Sequence, residues 1–207
     1  MAESPPYEPV SMAATTPLVV LAGPRAGFGS LQGLIEVASH NPGKLSLASV
    51  GAVGPGRLAA ELLFQRAGIR LMNLTYKTGP YAVTATALNE TQVLVEAAAS
   101  ALGQVGNRTL VPLAVTSASR LAGLPDVPTV AEAALPGYDV VLWYALAFPA
   151  GTPARIVDRM RAALHAALAR EDVRAQMAKA AFAPEESAPE ALAAHLSSEI
   201  ARWRAVR

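Results

Sequence analysis

The chain has 207 residues, 52% of them hydrophobic and 16% charged, a composition that can build a sizeable core and disfavours disorder. Its 17 Lys+Arg and 16 Asp+Glu leave a formal net charge of +1, so neither a nucleic-acid surface nor a polybasic membrane patch has electrostatic support. There is no cysteine, which excludes disulfides, zinc–thiolate sites, iron–sulfur clusters and Cys nucleophiles.

No run of about twenty apolar residues occurs, so no membrane span is expected. Residues 1–16 lack the basic start and apolar middle of a secretory signal and read as an irregular arm. Beyond them, short apolar runs alternate with stretches of helical spacing, the pattern of βα units. Strand candidate Leu18–Ala22 leads through a Gly-rich loop to Ser30, which caps a helix to about Ser39; Asn41, Pro42 and Gly43 stop it. Strand Leu45–Val50 runs into a glycine-rich turn, Gly51 to Gly56, and a helix from about Arg57 to Ala67 ends at Gly68, where a C′ glycine belongs. Strand Arg70–Thr75, the loop Tyr76 to Pro80, a short helix and strand Thr91–Val95 follow. A helical turn at Ala97–Leu102 then precedes strand Thr109–Thr116.

Thr129 and Glu132, three apart before an apolar helix, form a capping box, and Pro136-Gly137 ends that helix. Strand Tyr138–Phe148 is long and stops at Pro149 and Gly151. The last sixty or so residues are helical in character. Thr152 reads as an N-cap with Pro153 at N1, opening a helix to Arg170 whose apolar face holds Ile156, Val157, Met160, Leu164 and Leu168. A short helix spans about Asp172–Ala180, and Ser187 with Glu190 forms a second capping box for a final helix to about Trp203. The expected class is therefore α/β, with a change of layer or domain near residue 150.

His40, His165 and His195 have no Cys, His or Asp at ligand spacing, so no metal site is expected. No Ser lies in a G-x-S-x-G elbow, and no cofactor motif is present. The loop Gly51 to Gly56 matches neither G-x-G-x-x-G nor the P-loop. A strand, a glycine loop and a helix start nevertheless present free backbone N–H groups to an anion. Arg57 at that start opposes the helix dipole unless a carboxylate or another anion lies nearby. Tyr76, Lys77, Thr78 and Gly79 form a second strand-to-loop transition, and Glu96 ends a third apolar strand. In a parallel α/β sheet, ligands sit at the carboxyl ends of strands, so these loops are expected to line one crevice. A tight structural turn with solvated Arg and Lys side chains is the alternative at each loop. Asn73, Asn89 and Asn107 each begin a glycosylation triplet short enough to arise by chance.

Several stretches resemble the Bug family, the extracytoplasmic substrate-binding proteins of tripartite tricarboxylate transporters. Asn41-Pro-Gly-Lys-Leu-Ser46 with Ala48-Ser-Val-Gly51 resembles the family's NPGKLSYASxG stretch. Tyr76-Lys77 with Gly79-Pro80 is similar to PYKGxGPA, and Leu124-Pro-Asp-Val-Pro-Thr-Val-Ala-Glu132 to LPDVPTVAE. Trp143-Tyr144 and Phe148-Pro-Ala-Gly-Thr-Pro153 are similar to WYGLFAPAGTP, so the resemblance covers about residues 17–207.

The resemblance implies a periplasmic-binding-protein-like fold of the Venus-flytrap type, with two α/β domains and a cleft. It implies a non-enzymatic receptor for small carboxylates that delivers them to a membrane permease, and a periplasmic location. On this basis 17–139 is expected to be the α/β ligand-binding second domain. Residues 140–207 are expected to be the crossover strand and C-terminal helices of a first domain whose N-terminal part has no counterpart here. The implied site residues are Ser49, Gly51, Gly54, Arg57, Tyr76, Lys77, Thr78, Gly79 and Glu96. Several positions depart from the family pattern: Val53 stands for a glycine, Gly54 for Ser/Thr, Arg57 for His, Thr75 for Pro, Thr78 for Gly and Thr84 for Asp. Val53, a β-branched residue where the backbone must approach a ligand, is expected to close the site, and Arg57 to strengthen carboxylate recognition through a bidentate pair. Two other readings stay open: a non-binding remnant that self-associates through uncovered surface near 150–207, and an α/β enzyme on an anionic substrate using Glu96.

Overall fold

A computed structural model describes residues 7–51 and 53–204. The chain divides into two compact units. One holds Pro17–Leu142; the other holds the described residues through Thr16 and from Trp143 on.

The first unit is a sheet in the order β3-β2-β4-β1-β5. Its strands are β1 (Tyr7–Ala22, of which the second half lies here), β2 (Ser46–Val50), β3 (Met72–Tyr76), β4 (Val93–Ala97) and β5 (Val111–Val115). β2 runs parallel to both β3 and β4, whereas β1 is antiparallel to β4 and β5. Residues Leu18 to Ala22 are at most 1% exposed, and Leu47, Ala48, Val93, Leu94, Leu113 and Ala114 are buried beside them. That continuous apolar run is what a central strand covered on both faces requires.

The crossovers are α1 (Leu31–His40), α2 (Pro55–Ala67), α3 (Gly79–Ala87) and α4 (Ala98–Gly106). Ser30 caps α1 by accepting from the Gly33 N–H, and α2 ends on Gly68 in the left-handed region (φ 67°). α5 (Val130–Ala133) opens with the expected capping box: Thr129 Oγ1 accepts from the Glu132 N–H at 3.0 Å and Glu132 Oε2 from the Thr129 N–H at 2.8 Å. The Thr129 N–H and then Arg120 hold the Glu132 carboxyl below the usual range.

Here α5 is shorter than expected, ending before Pro136-Gly137. Tyr138 does not begin the next strand. It is 1% exposed, and its hydroxyl donates to the Ala59 carbonyl of α2, so its ring is a core plug beneath that helix.

The second unit contains the first half of β1, most of β6 (Val141–Pro149), α6 (Ala154–Leu168), α7 (Glu171–Lys179), β7 (Ala183–Pro184) and α8 (Pro189–Arg204). The irregular arm expected over 1–16 is corrected from Tyr7 on, where the chain is β-strand; residues 1–6 lie outside the described residues. Val10, Met12, Ala14 and Thr16 are buried at the two-residue spacing of a half-covered strand. Ala14 and Thr15 pair with Pro184 and Ala183 of β7. Pro17, which has no N–H for a ladder, falls where the strand leaves one unit for the other.

Two expected caps are also corrected. α6 has Pro153 as its N-cap, while the Thr152 hydroxyl donates to the Pro149 carbonyl instead. Ser187 does not cap α8: its Oγ accepts from the Met12 N–H and its own N–H donates to Ser11 Oγ, which ties it to β1. Each hydroxyl found a backbone group nearer than the helix start. Glu199 of α8 accepts from the indole N–H of Trp203 at 2.8 Å and of Trp143 at 3.3 Å, fixing the helix to β6. On α6 only Leu168 is buried, and Ile156 and Met160 are about two-fifths exposed (42% and 40%). No helix of the described residues is long and apolar enough to cross a membrane.

Candidate functional site

The carboxyl ends of β2, β3 and β4 lie side by side at one edge of the sheet. Ser49 pairs with Thr75 and Val50 with Tyr76, and the β2–β4 register of Leu47 with Val93 leads on toward Glu96. Parallel strands with helical crossovers place the loops after them on this same edge.

The loop after β2 does the tightest turning. Gly51 adopts φ 69°, which L side chains rarely adopt, and its N–H donates to the Tyr76 carbonyl at 3.1 Å. Ala52 lies outside the described residues, and Val53 is 77% exposed. The chain then enters α2 through Gly54 as N-cap and Pro55 in its first turn, with no side-chain capping bond. The N–H groups of this first turn are what an acceptor would meet there. Gly56 permits a close approach of helix to sheet: a Cβ at this position would lie 2.2 Å from the Val95 carbonyl oxygen.

A depression of about 160 Å³ is enclosed where α2 meets the strand ends. Ser49, Gly54, Arg57 and Glu96 line it, with Leu18 and Leu142 among its apolar walls. Ser49 is 3% exposed, and its hydroxyl lies 3.4 Å from Thr75 Oγ1. Arg57 has the carboxylate that its position at a helix start calls for: Glu61, one turn on, at 3.7 Å. Both side chains are about one-third exposed (33% and 31%), so solvent screens the pair. Val53, 77% exposed, is not among the residues that line this depression.

Tyr76 closes β3, and burial, then the nearby Glu90, pushes its hydroxyl above the ordinary tyrosine value. It stays protonated at neutral pH. Lys77 and Thr78 are exposed and line neither this depression nor its neighbour. Thr78 is the N-cap of α3 without a side-chain capping bond, and Gly79 is that helix's first residue.

Glu96 sits on the wall between the depression and a second cavity of about 520 Å³. Gly79, Thr84, Ser100 and Gln104 help line that cavity. Glu96 Oε1 accepts from the Ala97 N–H at 2.9 Å. Its Oε2 lies beside Gly79, 3.5 Å from where a Cβ would stand.

The structure therefore lines one depression with Ser49, Gly54, Arg57 and Glu96; Gly51 is not among its lining residues, and Gly79 lines the cavity on the other side of Glu96. It leaves Tyr76, Lys77 and Thr78 outside the lining. Sequence reasoning missed Leu18 and Leu142, which reach the depression from β1 and β6. No motif marks them; their signal is only that of apolar strand residues. Among the described residues no group of three or more His, Cys, Asp or Glu is placed to hold a metal ion.

Comparison with known proteins identifies the family and the fold. The family model for the tripartite tricarboxylate transporter family receptor matches residues 5–207. A protein in the tcbD-tcbE intergenic region of a Pseudomonas species is 35% identical over 199 residues, covering 96% of this chain and 59% of its own length. BugT of Bordetella pertussis is 28% identical over 198 residues, with 96% and 61% coverage. The chain thus spans about three-fifths of the length of these relatives.

Among solved structures, an R. palustris protein with adipate superimposes with a TM-score of 0.88 at 26% identity, covering 97% of this chain and 67% of that one. The periplasmic binding protein BugD gives 0.84 at 26%, with 95% and 67% coverage. MatC from Rhodopseudomonas palustris with bound malate gives 0.85 at 25%, with 97% and 69% coverage. The fold is that of these periplasmic binding proteins. With a family match across nearly its whole length, and strand ends arranged as described, the chain belongs to the tripartite tricarboxylate transporter receptor family, whose members are receptors and not enzymes.

Proposed function

We propose that this chain contributes the binding wall of a periplasmic receptor for small carboxylates that serves a tripartite tricarboxylate-type permease. The observation that carries the reading is the depression at the start of α2. There α2 opens at Gly54 without a side-chain cap, and Arg57 and the buried Ser49 line the same depression at the carboxyl ends of parallel strands. A carboxylate suits this donor set: the helix start favours negative charge, and a guanidinium offers a planar pair of N–H groups. Relatives of known structure hold adipate and malate, and the permease partner and periplasmic location follow the family.

Ligand capture is in this reading an exchange. Arg57 gives up its screened contact with Glu61 for the ligand carboxylate, and the apolar walls from Leu18 and Leu142 exclude water around the pair. Lowered local dielectric strengthens the new bond relative to the exposed one it replaces.

Thermal denaturation with malate, succinate, adipate and citrate tests the reading. At a concentration about 100 times its Kd a ligand adds about 2.7 kcal/mol of stability. For a chain of this size that raises Tm by about 5–10 °C. A cooperative melt that no member of the series moves would contradict it.

A further inference from the structure

We propose that β6 is a docking edge for a second copy of this chain, whose own β6 adds to it antiparallel about a two-fold axis. The proposal goes beyond the carboxylate reading and does not depend on it. Its ground is a strand whose sequence and surroundings disagree. β6 carries only apolar and aromatic side chains from Val141 to Pro149, and no charged residue occurs between Asp139 and Arg155. A continuous run of that kind is the mark of a strand covered on both faces. None of its nine residues is buried, however, and Tyr144 and Leu146 are 46% and 38% exposed.

The first unit shows how this chain treats such a run when it is fully paired. Leu18 to Ala22 of β1 has antiparallel neighbours on both edges, β4 and β5, and is at most 1% exposed. β6 has one strand partner among the described residues, β1. Its other edge, about 30 Å long, lacks the charges that keep an edge strand from pairing. Pro149, which has no N–H to offer a ladder, stands only at its end. β7, the other short strand of this unit, is two residues long and contains Pro184, so it is already blunted as an edge.

A free apolar edge takes another strand. A second copy supplies one with the required properties. Two identical strands paired antiparallel are related by a two-fold axis, so each β6 satisfies the other and the assembly closes at two chains. The strand has no charge, so self-pairing sets no like charges opposite one another. A register centred on Ala145 places Tyr144 opposite the partner's Leu146, and Leu146 opposite the partner's Tyr144. The two exposed large side chains of β6 then cover each other in aromatic–aliphatic cross-strand pairs. One strand pair is a small interface beside the about 800 Å² per partner of a standard complex, so micromolar dissociation is expected.

Sedimentation velocity of the purified chain from about 1 µM to about 200 µM, a span that brackets micromolar dissociation, tests the proposal. The mass is expected to rise from one chain to two. Leu146→Lys, which puts a charge on the edge strand, is expected to weaken association at least about tenfold. Ile156→Lys, the same kind of change at a position of α6 that is 42% exposed, is expected to leave it within about threefold.

The absence of cysteine gives a second readout that keeps the strand intact. Residues directly opposite in an antiparallel pair have Cα atoms about 4.5–5.5 Å apart, within disulfide reach. Mild oxidation is therefore expected to link two chains of Ala145→Cys, and to leave Ala163→Cys, exposed on α6, largely unlinked. A chain that stays monomeric throughout, or that grows past two copies without limit, would overturn the proposal. So would association lost in Ile156→Lys and kept in Leu146→Lys, or equal linking of the two cysteine variants. None of these results bears on carboxylate binding, which the thermal series tests separately.

Discussion

Replacing Gly56 by alanine is expected to cost about 3 kcal/mol of stability and to abolish ligand binding. The added methyl would lie 2.2 Å from the Val95 carbonyl oxygen and 3.3 Å from its carbonyl carbon. Both are backbone atoms of a central strand, so no side-chain rotation relieves the contact. α2 must lift from β4, and Gly56 and Val95 both line the depression, so the site opens as the helix moves.

Gly103→Ala is the control. It lies within α4, and its added Cβ meets nothing within 4 Å. Lower backbone entropy in the unfolded chain is expected to raise stability there by about 0.5 kcal/mol or more. Urea unfolding of the two variants measures both effects. A Gly56→Ala protein as stable as the parent would mean that α2 does not press on β4 as described.

Arg57→Ala is expected to weaken malate binding about tenfold to a hundredfold, the range for losing hydrogen bonds to a charged group. Loss of its contact with Glu61, a screened i,i+4 pair, is expected to contribute no more than about 0.5 kcal/mol to the change in stability. Arg57→Lys keeps the charge but loses the planar fork, so its affinity falls between the two. Lys77→Ala, altering an exposed residue outside the lining, is expected to leave affinity within about threefold of the parent, since a screened charge contributes little. Calorimetric titration separates the cases. Parent-like affinity in Arg57→Ala would place the ligand elsewhere.

What could be read from the sequence was mostly local. The Gly68 cap, the Ser30 cap and the Thr129–Glu132 box follow from rules spanning a few residues, and the structure has them all. That the loops after β2 and β4 share an edge was also legible, because βα spacing implies parallel strands, but the expected share of the Tyr76–Gly79 loop in the same depression is not seen.

Long-range competition was not legible. Thr152 and Ser187 have the right identities and spacing to cap α6 and α8, but Pro149 and Met12 present nearer partners. The strand from Tyr7 hides behind Pro9 and Pro17, although Val10, Met12, Ala14 and Thr16 carry its alternation. Leu18 and Leu142 could not be assigned to the depression, because only the antiparallel pairing of β1 and the return of β6 bring them there.

The central claim is that the ligand carboxylate sits at the start of α2, and backbone amide NMR during a malate titration tests it most directly. The account predicts saturable shifts largest at the Gly54, Gly56 and Arg57 amides, with the Arg57 side-chain Nε–H moving in step. Saturable shifts centred instead on another surface, such as the α6–α8 helices, with the α2 amides unmoved, would contradict it.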